Sequence, residues 1–299
     1  MAASSTTWRL DGRAVRVSHL AKPYWPGDRL TKGDLLRYYR DIAPVLLPHC
    51  ANRPATVRVF PNGIEGHSYY QRDRPSRAPR WLRTADYQTA TDAHRIHIIL
   101  IDDAAGLIWL ANTGAIEFHL WSSRLPNLAE PDQAIFDLDP GDQATFADVL
   151  QAALRLHAAL ERLGLRGYPK TSGGRGLHVY LPLAPGHTFD GVRAWVRTLA
   201  ERLAAAHPEL IAVARGATHR GRQVTIDHAQ NSIGRNTAAP YTVRALPRAP
   251  VSTPLTWEEV AAGELRPADL TLATVPARVR ARGDLFAPVL QGGQRLPPL

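Results

Sequence analysis

Ile135-Phe136-Asp137-Leu138-Asp139-Pro140 is the stretch on which the fold turns. Residues two apart on a strand share a face. Phe136 and Leu138 are therefore expected in a core, with Asp137 and Asp139 projecting together from the other side. Pro140-Gly141-Asp142 ends the strand and leaves both acids at its mouth. Adjacent carboxylates repel unless positive charge sits between them, and a pair of oxygen donors suits Mg²⁺ or Mn²⁺. The same acids could cap a helix beginning near Ala144, and in isolation both readings stand. Val224-Thr225-Ile226-Asp227 repeats the alternation and ends in a further carboxylate. Alone, Asp227 reads as an ordinary strand-to-turn residue. Three such aspartates together can hold two divalent ions side by side, the arrangement that clamps both oxygens of a phosphoryl displacement.

Working outward, the pattern predicts a helix over 146–163 ended by Gly164, strands over 168–171 and 176–182, a helix over 189–206 and a strand over 223–227. Upstream, Thr31 caps a helix over 32–47. Strands are expected over 55–60, 68–72, 95–102 and 116–121, with a short helix over 105–113. Residues 1–30 read as irregular. The Pro-containing segment 247–299 shows helical patches near 257–263 and 276–282, packed on the core or trailing from it. Helices alternating with short hairpin-like strands favour a mixed α/β architecture over a doubly wound parallel sheet. With no linker visible, 1–299 is expected to form one catalytic domain.

Thr171-Ser172-Gly173-Gly174-Arg175-Gly176-Leu177-His178 joins two of these strands. Its glycines let backbone N–H groups approach an anion, and Arg175 supplies a fork of donors. Leu177, Val179 and Leu181 are expected inward, with His178 and Tyr180 facing out. The loop is neither a P-loop nor a dinucleotide fingerprint. A plain Gly-rich hairpin with a surface histidine fits it equally well. His94 and His97, three apart on a strand, fall on opposite faces and do not suggest zinc. His119, sharing a face with Glu117, reads alone as a surface or satisfied histidine, and Tyr69-Tyr70 offers rings for stacking on bases or for a core.

The chain has 299 residues, 36 of them Lys or Arg against 27 Asp or Glu, for a net charge of +9. That surplus suits a polyanionic partner, and equally an Arg-rich solvated surface. No apolar run reaches the ~18 residues of a membrane span, and the N-terminus has no signal-type apolar region. The single cysteine, Cys50, excludes an internal disulfide and a cysteine-based zinc site. A cytoplasmic location is expected. Lys occurs only at 22, 32 and 170. Where Arg fills nearly every basic position, a remaining Lys marks a place for a compact point charge.

Taken in order, Arg-Pro-Ala-Thr (53–56), Pro-Asn-Gly (61–63), Glu-x-His (117–119), Asp-Leu-Asp-Pro (137–140), Ser-Gly-x-Arg-Gly-Leu-His (172–178), Ile-Asp-His-Ala-Gln-Asn (226–231) and Ala-Pro-Tyr-Thr-Val-Arg (239–244) form an ordered set. The set resembles the polymerase domain of bacterial DNA ligase D, of the archaeo-eukaryotic primase superfamily, over roughly residues 10–290. The resemblance implies a primase-type core of mixed and antiparallel sheets flanked by helices. It implies template-directed addition of NTPs or dNTPs to 3′ ends at double-strand breaks and short gaps, in non-homologous end joining. By position, Asp137, Asp139 and Asp227 would hold two Mn²⁺ or Mg²⁺ ions. Ser172, Arg175, His178 and Arg244 would hold the incoming triphosphate, with His119 near its sugar and phosphates. Lys22 and Lys32 would grip the 5′-phosphate of the downstream strand, the latter helped by free N–H groups of a helix N-terminus. Tyr69 and Tyr70 stand where the family has a Phe pair against the template base, Arg175 where it often has Lys, and Phe60 where it has Trp.

The implied partners are gapped or 3′-overhanging DNA with a 5′-phosphate, Ku and a DNA ligase, acting with a monomer at the nucleoid. No ligase nucleophile motif (Lys-x-Asp-Gly) is present, which fits a stand-alone gap-filling homologue or one domain of a larger ligase. A Mn-dependent glycosyltransferase would share the Asp-x-Asp but leave the net charge, the glycine loop and Asp227 unexplained. An inactive end-binding scaffold would not need the three aspartates.

Overall fold

The computed structural model describes residues 5–88, 95–213 and 221–299. Its central element is the strand Gln133–Pro140, buried at every position but Asp139. Leu177–Pro182 flanks it on one side and Val224–Asp227 on the other, both antiparallel. Tyr168–Thr171 extends the sheet antiparallel at one edge, and Ile211–Val213 extends it parallel at the other. Phe136 and Leu138 enter the main core as expected. The helices Phe146–Arg162 and Phe189–Ala206 supply that core's other wall, with Trp195 edge-on to Phe136 at 6.3 Å. Thr145 and Asp148 form a capping box, so the helix after the aspartates is capped by its own residues and not by Asp137 or Asp139.

A second sheet runs Thr237–Ala238, Ala115–Leu120, Pro54–Val59, Arg95–Leu100, Thr84–Gln88, with Tyr69–Gln71 also paired to Pro54–Val59. The helix Lys32–Cys50 lies against it: Tyr39 meets Phe118 edge-on at 4.9 Å and donates to the Ile116 carbonyl at 2.6 Å. This helix runs past the expected end at 47, through Pro44 and Pro48. Burial of His49 and Cys50 and the 2.9 Å contact of His49 Nε2 with Asp284 hold the last turn in place. The sheets meet where Tyr180 and Thr237 share a 2.6 Å hydroxyl contact. Between them Asn231 bonds both the N–H and the carbonyl of Ile135, each at 2.8 Å, standing in for a strand.

The N-terminal region is not irregular. Ser5–Leu10 and Arg13–Ser18 form a hairpin, and its Asp11-Gly12 turn has φ of 48° and 75°. That dipeptide is the strongest short-range hairpin signal, and Val15 and Val17 alternate into the core behind it. The segment after 247 is not a free tail: Val251, Leu270, Val275 and Phe286 are all buried. Among the described residues no helix is long and apolar enough to cross a membrane.

Candidate active site

Asp137 and Asp139 open into a cleft of about 430 Å³ between the two sheets. Asp137 faces His178 on one neighbouring strand and Asp227 on the other in direct register. Like charges opposite one another on a sheet destabilise it, so this face calls for a cation. Nε2 of His178 lies 3.1 Å from Asp137 Oδ1, an ion-pair distance, yet that buried oxygen has no aligned hydrogen-bond donor. The expected triad is only partly assembled. Asp227 accepts from the Ala229 N–H at 2.7 Å, capping the turn that follows its strand, and it does not line the cleft. Among the described residues no three His, Cys, Asp or Glu side chains gather as a ready metal cage.

His178 does face away from Val179, but it is buried and not at the surface, enclosed by Lys170, Asp137 and Tyr180. Beneath it lies Lys170, fully buried, with Nζ 2.9 Å from His178 Nδ1 and 2.6 Å from Ser252 Oγ. The amine supplies the hydrogen to Nδ1, so the ring proton belongs on Nε2, toward Asp137. Burial and then the neighbouring Arg244 push the Lys170 ammonium well below its ordinary range. For Asp137, burial works upward, but His178, Lys170 and Arg244 prevail and hold the carboxyl below its usual value. Sequence reasoning marked Lys170 as one of only three lysines but gave it no role in the site.

The glycine loop is shaped by contact. A Cβ on Gly176 would sit 2.5 Å from the Leu138 carbonyl, and Gly173 has φ of 75° with Arg244 Cγ 2.5 Å from where a Cβ would stand. Ser172 Oγ accepts from the Gly174 and Gly176 N–H groups at 3.2 Å each. Arg175 donates to the carbonyls of Gly141 and Ala144, and Arg244 to that of Ser172 at 2.6 Å. Ser172, Arg175, His178, Arg244 and His119 all line the one cleft, as a shared anion site requires.

His119 is buried and bonded to Glu117 Oε2 at 2.9 Å. Glu117 also accepts from the Ala245 N–H at 3.0 Å and stands at ion-pair distance from Arg244 Nε at 3.3 Å and Arg58 at 3.7 Å. Sequence reasoning gave it no role. Tyr69 and Tyr70 are 44% and 62% exposed, so neither serves the core. The Tyr70 ring stands edge-on to His119 at 6.0 Å, beside the cleft.

Lys22 and Lys32 meet elsewhere, at the start of the helix Lys32–Cys50. Lys22 Nζ donates to Pro61 O and Asn62 Oδ1 at 2.8 and 2.7 Å. The helix N–H groups expected to be free are taken: Lys32 N by Lys22 O, Gly33 N by Leu20 O and Asp34 N by Thr31 Oγ1. An anion here is left with the two ammonium groups. Burial, and then the charge of Lys22, push Lys32 down to about 8. His97 pairs with Asp86 at 2.7 Å, and His94 lies outside the described residues.

The chain matches the family model described as LigD, primase-polymerase domain, over residues 31–286. It is 33% identical to the multifunctional non-homologous end joining protein LigD of Mycolicibacterium smegmatis, over 92% of this chain and 36% of that protein. It is 32% identical to the bifunctional non-homologous end joining protein LigD of Bacillus subtilis, over 91% of this chain and 43% of that one. The chain thus spans well under half the length of these relatives. Among solved structures, the polymerase domain from Mycobacterium tuberculosis ligase D in complex with DNA superposes with a TM-score of 0.86 at 31% identity, covering 93% of this chain and 98% of that one. The ordered motifs, the two-sheet cleft and these likenesses agree over nearly the whole length, and the chain belongs to the LigD primase-polymerase domain family.

Proposed function

We propose that this chain adds nucleotides to primer 3′ ends opposite a template, at gaps and 3′ overhangs of broken DNA, using two divalent ions. The observation that carries the reading is one cleft holding Asp137 and Asp139 together with Ser172, His178, Arg244 and His119. Carboxylates that bind metal and cations that bind phosphate are both needed to move a nucleotidyl group. A divalent cation fits the residues present: the buried Asp137 Oδ1 has only the poorly aligned His178 Nε2 beside it, and the offered ligands are hard oxygens. Asp137 and Asp139 would hold Mn²⁺ or Mg²⁺, with Asp227 next to them in register. Once bound, the ions would lower the pKa of the primer 3′-hydroxyl and neutralise charge on the leaving pyrophosphate. Arg244 and Arg175 offer guanidinium forks to triphosphate oxygens, with His178 lining the same cleft beside them. His119 stands toward the sugar. Tyr69 and Tyr70 offer exposed rings to the template base, and Lys22 and Lys32 offer two charges to the downstream 5′-phosphate.

The substrates are then NTPs or dNTPs and DNA bearing a 5′-phosphate, and Ku and a DNA ligase are the partners such a polymerase would serve. It would act as a monomeric, single-domain catalytic unit at the nucleoid. The test is incubation with a gapped primer–template, each NTP singly, and Mn²⁺ or Mg²⁺. Templated extension that stops on adding chelator supports the reading; DNA binding with no extension under any metal contradicts it.

A further inference from the structure

We propose that Glu117 is a positioning residue that joins the template-side platform to the phosphate clamp, so that pairing at the template sets the grip on the incoming nucleotide. This rests on the polymerase reading above. The Glu117 side chain is 2% exposed and lies between the two groups of residues it would join. Its Oε2 meets His119 Nε2 at 2.9 Å and Arg244 Nε at 3.3 Å, both on cleft-lining residues. Its Oε1 accepts from the Ala245 N–H at 3.0 Å and faces an Arg58 nitrogen at 3.7 Å.

Arg58 is outside the cleft wall. Its guanidinium stands 5.5 Å from the Tyr70 ring centre and 4.9 Å from that of Phe60, and also bonds Ser68 Oγ at 3.2 Å. Tyr70 in turn leans on His119 at 6.0 Å. The contacts close a circuit: Glu117 to Arg58, Arg58 to Tyr70, Tyr70 to His119, and His119 back to Glu117. One carboxylate therefore balances two guanidinium groups that would otherwise repel, and it accepts from the imidazole. Burial works to raise its pKa, yet His119 and Arg244 hold it at about 2, so it is anionic at any working pH. A ring tilted at Tyr70 by a mismatched base shifts Arg58 and His119, and through Glu117 shifts Arg244, which also holds the Ser172 carbonyl at 2.6 Å.

The test is E117Q in the full chain, assayed for KM and kcat with matched and mismatched NTP opposite one template base, and for thermal unfolding. KM for the matched NTP is expected to rise about tenfold, the scale of one lost charge-assisted contact. The expected change in kcat is under about threefold, and matched-over-mismatched discrimination should fall by about threefold or more. A folded E117Q whose KM and discrimination stay within about twofold of wild type overturns the inference. If E117Q does not fold, R58M decides, since it leaves the buried carboxylate and the cleft wall in place. Reduced discrimination in R58M supports the coupling, and unchanged discrimination overturns it. A wild type that extends no primer would remove the polymerase reading and this inference together, whereas an active wild type with an indifferent variant removes this inference alone.

Discussion

The cleft and the lysine pair handle charge in opposite ways. In the cleft every donor group has an anion or a carbonyl within reach: His178 faces Asp137, Arg244 faces Glu117 and the Ser172 carbonyl, and Arg175 holds two backbone oxygens. At the start of the helix Lys32–Cys50 two ammonium groups stand close together, and Lys22 donates to neutral oxygens. A paired site keeps its shape without ligand and selects by geometry. A site of like charges is strained without an anion, and its preference tracks charge. Substitution in the cleft should therefore act on chemistry, and at the lysines on DNA-end affinity.

The largest effect is expected from Asp139→Ala. Nucleotide addition should fall by about a hundredfold or more, since phosphoryl transfer depends on metal held at this strand face, while DNA affinity should hold because it rests on the basic surface. Extension within about tenfold of wild type at saturating Mn²⁺ would erase the contrast between the two regions. Next comes Arg244→Ala. A lost charge-assisted bond to phosphate costs about 1.5–3 kcal/mol, so KM for NTP should rise about 10- to 150-fold with little change in DNA binding. An unchanged KM with weakened DNA binding would move Arg244 from the clamp to the DNA groove.

The lysine pair should show a smaller effect with a different signature. Gapped DNA with a 5′-phosphate should bind more tightly than the same DNA with a 5′-hydroxyl, and added salt should shrink the difference. Lys22→Ala with Lys32→Ala should abolish it without altering extension on phosphate-free DNA, as anisotropy titrations would show. The sign of its pH dependence follows from Lys32, whose ammonium is pushed down to about 8. At neutral pH Lys32 carries its charge and contributes to the preference; as pH rises through about 8, Lys32 loses its proton and the preference should decline. A preference flat from pH 7 to 9 would contradict the assignment to Lys32.

What the sequence disclosed follows the range of the forces involved. The period-two pattern of 135–140 and 224–227 is local, and it placed Phe136, Leu138, Ile226 and the aspartates on their proper faces. The glycine loop was legible because Gly176 answers to one carbonyl on the adjacent strand. The burial of His178 was not, because the Lys170 beneath it is tied to Ser252, more than eighty residues further along the chain. Glu117 escaped for the same reason: its partners Arg58 and Arg244 come from distant segments. The free helix N-terminus expected at Lys32 vanished because Leu20 and Lys22 carbonyls return to it. The N-terminal hairpin was missed against a plain local signal, Asp11-Gly12.

The most direct measurement is Mn²⁺ binding by electron paramagnetic resonance, on wild type and Asp137→Asn, without nucleotide or DNA. Asp137 carries the buried oxygen at the centre of the carboxylate face, with only His178 Nε2 beside it at 3.1 Å. Wild type is expected to bind Mn²⁺, and the variant to bind it at least about tenfold more weakly while remaining folded, because a neutral amide is a poor ligand for a hard cation. Equal Mn²⁺ affinity in the two proteins would contradict the assignment of this strand face to metal and, with it, the polymerase chemistry proposed for the cleft.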